Sequence, residues 1–256
     1  MTELNALVTG ASRGIGAALA RELAGRGYNL TLNARDETAL AALEEELWEA
    51  DVTLCVADLT TPEGMDHVKS HLERCDVLVN NAGMGEPGAF GASSPADNDA
   101  LIDLNIRALV SLTSAALPGM LARRRGRILN VASVAAFGPV PNMAVYAASK
   151  AFVLSFTEAL SEELRDTGVT LTALCPGITD TEMTRDLREQ MPGLPGAVVG
   201  TPEDVAAAGI EALFERRVIS VPGLANQAAV ELARLNPRGV VRNLAGFAAR
   251  LGMLGR

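Results

Sequence analysis

Short apolar runs alternate with long Ala/Leu/Glu-rich stretches along most of this chain, and that alternation limits its fold more than any other feature. Residues 4–9, 29–34, 52–57, 76–81, 127–133, 169–175 and 218–222 read as strands, and 14–25, 36–50 and 144–167 as helices. The strands are nearly continuous apolar runs, the pattern of strands buried on both faces. Strand–helix alternation of this kind predicts a doubly wound α/β fold: a parallel sheet of about seven strands with helices on both faces. Thr61-Pro62-Glu63 and Thr201-Pro202-Glu203-Asp204 each read as a helix start, with a hydroxyl cap, a first-turn proline and acidic residues near the positive helix end. With no internal repeat or linker, the 256 residues fit one domain with a sizeable core.

A net charge of −9 argues against a nucleic-acid binder. No run reaches the roughly 18 uncharged apolar residues of a spanning helix. MTELNALVTG lacks a basic leader and enters a strand directly, so a cytoplasmic protein is expected. Cys55, Cys75 and Cys175 are odd in number and form no C-x-x-C pattern, which suits buried thiols in a reducing compartment. His67 and His71 are the only histidines. They stand four apart, but no acidic or cysteine partner lies at a metal-motif spacing, so they read as a solvated helix face and no metal is expected.

TGASRGIG, residues 9–16, follows the first strand and opens the first helix. Gly10, Gly14 and Gly16 permit a tight turn and let backbone N–H groups approach a pyrophosphate. The end of the second strand discriminates between cofactors. An acidic residue there would bond the ribose hydroxyl of NAD. This chain has Asn33-Ala34-Arg35 instead, and Arg13 lies in the glycine loop. Two guanidinium groups suit a 2′-phosphate, so NADP(H) is the expected cofactor. The alternative is that Arg35 is an ordinary surface charge and Asp36 a helix cap.

With TGASRGIG and YAASK (146–150) both placed, residues 4–222 resemble the short-chain dehydrogenase/reductase family, which has a Rossmann-like fold. The resemblance implies cofactor contacts from Gly10, Ser12, Arg13, Gly14, Ile15 and Gly16, and from Arg35. It implies further contacts from Asp58 and Leu59 after the third strand, and from Asn81, Ala82 and Gly83 in NNAG. CPGITDT (175–181) resembles the segment flanking the nicotinamide, which adds Pro176, Gly177, Ile178, Thr179 and Thr181. Asn105, Ser133, Tyr146 and Lys150 match the family's catalytic positions, and the last two also contact the cofactor. Taken singly, Asp58 reads equally as turn chemistry and Asn105 as a satisfied helix asparagine.

The Tyr/Lys spacing has a physical rationale. Residues four apart share a helix face. A free phenol titrates near pH 10, and a neighbouring cation lowers that value. Tyr146 is therefore expected as general acid/base with Lys150 lowering its pKa, Ser133 orienting a carbonyl oxygen, and Asn105 supporting a water. The expected reaction interconverts a carbonyl and an alcohol. A 3-oxoacyl-thioester reductase and a non-catalytic NADP-binding regulator are the alternatives.

Met84, Phe137, Val140, Pro141, Met143 and the 176–200 loop suggest an apolar wall and a hydrophobic ketone or aldehyde, with that loop as a lid. Residues 1–225 form the expected catalytic domain and 226–256 a helical extension of it. The family's usual ending helps to build a tetramer; this chain ends differently, so a homodimer or homotetramer is expected. Val240, Val241, Leu244, Phe247, Ala248 and Leu251 share one face of the tail, and Arg238, Arg242 and Arg250 lie largely on the other. Packing on the protein's own domain or on a second subunit is favoured over contact with a membrane surface or another partner.

Overall fold

In the computed structural model, which describes residues 4–85, 87–189 and 199–250, seven strands form one parallel sheet. They are Asn5–Thr9 (β1), Asn29–Ala34 (β2), Val52–Val56 (β3), Val77–Asn80 (β4), Gly126–Val131 (β5), Val169–Leu174 (β6) and Ile219–Ser220 (β7). Their order is β3-β2-β1-β4-β5-β6-β7. The direction of winding reverses at β1, which pairs with both β2 and β4. A ligand crevice opens beyond the carboxyl ends of the strands at such a reversal.

The apolar strands divide residue by residue between two layers, because successive side chains point to opposite faces. Ala6, Val8, Val79 and Leu129 enter one cluster, packed against Leu19 and Leu23. Leu7, Leu78, Ile128 and Leu171 enter the other, packed against Leu112 and Met120. Helices Gly14–Ala24 (α1), Glu37–Glu46 (α2) and Pro62–Lys69 (α3) connect the first strands. The side chains of Asp36 and Thr61 cap α2 and α3. Ser94 caps Pro95–Ile102 (α4), a cap that the sequence reading missed. Residues 103–108 form a π-helical turn that leads into Leu109–Arg123 (α5). The continuous run Pro95–Arg123 is long and apolar enough to cross a membrane by length and composition. Its Leu109, Leu112, Ala116 and Met120 are instead buried.

Ala144–Glu163 (α6), Glu182–Glu189 (α7) and Pro202–Phe214 (α8) follow, with Thr201 capping α8 as expected. A buried polar network joins the sheet to α5 and α6. Asn80 Nδ2 donates to Thr113 Oγ1 (3.1 Å) and Asn130 Oδ1 (2.9 Å), and Asn130 Nδ2 donates to Thr157 Oγ1 (2.9 Å). Replacing Asn130 by alanine strands a donor and an acceptor in the core. We expect a loss of about 1–3 kcal/mol, read as a lower urea midpoint at unchanged slope. An unchanged midpoint would mean that the network carries no stability.

One expectation is corrected by the tertiary arrangement. Cys55 of β3 lies beside both histidines, and His71 is only partly exposed, so the pair is not a solvated helix face. The tail is helical at Leu224–Leu235 (α9) and Arg238–Arg250 (α10), but only part of it packs on the domain. Val230 is buried, and Arg234 lies over the Phe137 ring at 4.9 Å. Val241 abuts Gly138. Val240, Leu244 and Phe247 face outward. The tail-face positions Ala248, Arg250 and Leu251 lie outside the described side chains, as do residues 190–198 of the expected lid.

Candidate active site

The glycine loop crosses from β1 to α1 at the winding reversal. Gly10 and Gly14 have positive φ (63° and 55°), which only glycine adopts readily. A Cβ on Gly16 would lie 2.1 Å from the Gly10 carbonyl oxygen, so the helix start can approach the turn only without a side chain. Arg13 at the α1 N-cap makes no capping bond to the first turn, whose N–H groups are left to an external acceptor. Asn81 braces the loop: its Nδ2 donates to the carbonyls of Thr9 and Gly10, both at 3.0 Å. Thr9 Oγ1 accepts from the N–H groups of Asn81 and Ala82. Thr181 closes the far side, its methyl lying 3.1 Å from where a Gly14 Cβ would stand. The NNAG and PGITDT segments thus meet at this loop although they are distant in sequence. The residues present fit a dinucleotide pyrophosphate.

Both expected phosphate-binding arginines have acidic partners. Arg13 pairs with Asp36 at 2.9 Å and with Glu182. The largely exposed Arg35 lies 3.6 Å from Asp58. Asp58 Oδ1 also accepts from the Thr60 N–H and hydroxyl. Burial would raise the Asp58 pKa, but these bonds and the Arg35 charge outweigh it and hold the carboxyl below its usual range. Asp58 is thus turn chemistry and a charge partner of Arg35 at once. Asp36 also caps α2 by accepting from the Ala39 N–H.

Ser133, Tyr146 and Lys150 converge beyond the ends of β5 and β6. Ser133 follows β5, and its hydroxyl acts on the Tyr146 phenol, lowering its pKa in part. The buried Lys150 Nζ donates to the Val131 carbonyl at 2.9 Å and stands 5.8 Å from the centre of the Tyr146 ring. The expected lowering of the Tyr146 pKa is not found in the cofactor-free chain. Burial raises it, and the Ser133 hydroxyl opposes this only in part. Burial also lowers the Lys150 pKa to about 8, which weakens Lys150 as a source of positive charge.

Asn105 sits in the π-helical turn and is buried. Its Oδ1 accepts from the Met84 N–H (2.9 Å), and its Nδ2 donates to the Met84 carbonyl (2.9 Å) and Ser149 Oγ (3.0 Å). Both amide hydrogens are therefore taken by the protein. It fastens the chain at residue 84 to α6. One residue on, Gly85 lies so close to Tyr146 that a Cβ there would be 2.4 Å from the ring. Gly85 was not among the expected site residues; its place in a Gly/Pro-rich loop after a strand was the only signal.

A cavity of about 280 Å³ opens at Tyr146, lined by Met84, Phe90, Leu101, Met143 and Val145 among others. Met84 and Met143 stand where expected. Phe137, Val140 and Pro141 do not line it, and α4 together with the turn before it supplies the wall instead. Phe137 is turned toward the tail.

The model of the short chain dehydrogenase family matches residues 4–192. The chain belongs to this family. Its members are oxidoreductases, and the expected family and fold both stand. Mouse 17-beta-hydroxysteroid dehydrogenase type 3 is 41% identical over 195 residues, which cover 73% of this chain and 63% of that protein. The chain thus spans less than two thirds of that relative. An acetoacetyl-CoA reductase of Paracoccus denitrificans is 37% identical over 209 residues, 78% of this chain and 86% of that one. A short-chain dehydrogenase from Sphingobium yanoikuyae, solved in complex with NADPH, superposes with a TM-score of 0.81 at 34% identity, covering 91% and 94% of the two chains.

Proposed function

We propose that this short-chain dehydrogenase reduces a bulky apolar ketone or aldehyde to its alcohol with NADPH, and catalyses the reverse oxidation. The observation that carries the proposal is the Ser133–Tyr146–Lys150 group, placed beyond the sheet end that bears the glycine loop, with Tyr146 open to a cavity walled in part by Met84, Phe90, Leu101 and Met143. When bound, the reduced nicotinamide supplies the hydride to the carbonyl carbon. Tyr146 gives its phenolic proton to the developing alkoxide oxygen, which completes the alcohol. Its raised pKa keeps the phenol protonated at neutral pH, as an acid requires. Ser133 holds the carbonyl oxygen in line with that proton. Lys150, held by Val131, places a cation behind the ring, and Asn105 is a positioning residue that anchors the Met84–Gly85 backbone against it.

The cavity favours a free ketone over an acyl thioester. Carrier thioesters bring phosphate groups, which call for Arg or Lys. Among the described lining residues the one charged side chain is Asp97, an anion. NADPH-dependent turnover of bulky free ketones, with no gain on an acyl-CoA, would support this reading. Preference for the thioester would reverse it. Binding of NADPH without turnover on any carbonyl would favour a regulatory role.

Arg35 is assigned to the 2′-phosphate with Arg13. On cofactor binding it exchanges Asp58 for a stronger anion. Arg35→Ala should weaken NADPH by about tenfold or more, the effect of losing one charge-assisted contact, and leave NADH nearly unchanged. Paired fluorescence titrations measure this, and equal weakening of both would remove the assignment. The free, buried cysteines fit the proposed cytoplasmic location. A homodimer or homotetramer completes the proposal.

A further inference from the structure

The two histidines of this chain and one of its three cysteines meet at one place, far in sequence from the proposed catalytic residues. Cys55 Sγ, a His67 ring nitrogen and a His71 ring nitrogen all lie within 4.8 Å of one another. Cys55 comes from β3 and His67 from α3. His71 lies just beyond the end of α3, so strand and helix both contribute. The imidazole rings stand edge to face with centroids 5.4 Å apart. His71 Nε2 is buried and has no hydrogen-bond partner, an uncompensated polar atom in a core otherwise built from Met65, Val68 and Leu72. A thiol and two imidazoles are a borderline-soft donor set, suited to zinc and poorly suited to calcium or magnesium.

We propose that Cys55, His67 and His71 bind one zinc ion, with solvent in the fourth position. Tetrahedral zinc places its nitrogen and sulfur donors about 3.3–3.6 Å apart, so the site must contract by roughly 1 Å from its widest separation. His67 is exposed and free to close that distance, and its side is the route of entry from solvent. Binding replaces the Cys55 S–H proton with a zinc–sulfur bond, and the proton passes to solvent. Since the cavity at Tyr146 is lined by other residues, the ion is assigned a structural role, pinning α3 to the sheet edge at β3.

The sequence reading missed this site because the third donor comes from a neighbouring strand rather than from a motif on the helix. The test uses the full chain without a histidine tag, with Co²⁺ as a spectroscopic stand-in for zinc. One equivalent of Co²⁺ should give a thiolate-to-metal charge-transfer band in the near ultraviolet together with visible bands of tetrahedral intensity. His67→Gln changes an exposed side chain and should fold normally. It should weaken Co²⁺ by about tenfold or more, since even outer partners of a metal ligand cost that much. Zinc at a hundredfold excess over the wild-type Kd should raise the wild-type melting temperature by about 5 °C, and that of His67→Gln by no more than about half as much. Absence of the thiolate band, or a band that persists at unchanged affinity in His67→Gln, would overturn the proposal.

Discussion

Tyr146→Phe should lower turnover by about 10²–10⁴-fold, the range expected when a positioned general acid is lost. The ring remains, so its contacts with Gly85 and the cavity wall are kept. Ser133 loses its phenolic partner but retains the Ala135 N–H and the Pro176 carbonyl. NADPH affinity should therefore change little, because the glycine loop and its Asn81 brace are untouched. Fluorescence titration and NADPH consumption on a ketone substrate measure the two effects separately. Turnover within tenfold of the wild type would remove Tyr146 as proton donor. Equal loss of binding and turnover would point to a structural role instead.

Lys150→Met should lower turnover by about 10²-fold or more and at the same time make the cofactor-free protein more stable at neutral pH. The reason lies in burial. Lys150 titrates at about 8 in the fold against 10.5 when unconstrained, so holding it charged costs on the order of 3 kcal/mol below pH 8. Methionine fills a similar volume without that cost. It leaves the Val131 carbonyl without its donor, which returns about 1–3 kcal/mol of the gain. A net increase of about 1 kcal/mol is expected at pH 7.

The pH dependence fixes the sign. Between pH 8 and 10.5 the unfolded chain holds the Lys150 proton and the folded chain has released it. Wild-type stability from this group therefore rises with pH across that window and is flat below it. Lys150→Met lacks this rise, so its advantage should shrink from pH 7 to pH 9.5. Urea unfolding at both values measures it. A variant less stable than the wild type at pH 7 would show that burial of Lys150 carries no such cost.

The sequence alone determined what depends on local periodicity. Continuous apolar runs between amphipathic stretches specified a parallel sheet, since only strands buried on both faces can be apolar throughout. The glycine spacing of 10, 14 and 16 specified a turn that side chains would block. The interval from Tyr146 to Lys150 specified a shared helix face. Thr61 and Thr201 announced helix starts because a cap acts within three residues. Each of these relations spans a turn or a strand, so it is written in adjacent residues.

The order of the strands decided the rest. Placing β4 beside β1 brings Asn81 to the glycine loop, and placing β3 beside α3 brings Cys55 to the two histidines. The path of the chain after β4 puts Gly85 on the Tyr146 ring and Asn105 on the Met84 backbone. The π-helical turn at 103–108 left no mark in the apolar pattern. The cavity wall came from α4 and from Met143 and Val145 rather than from Phe137, Val140 and Pro141, and the Phe137 ring lies under Arg234 of the tail. The lowered Lys150 pKa and the raised Tyr146 pKa follow from burial, which a spacing of four residues does not specify. These are contacts between segments tens of residues apart, and their partners are chosen by packing geometry rather than by spacing along the chain.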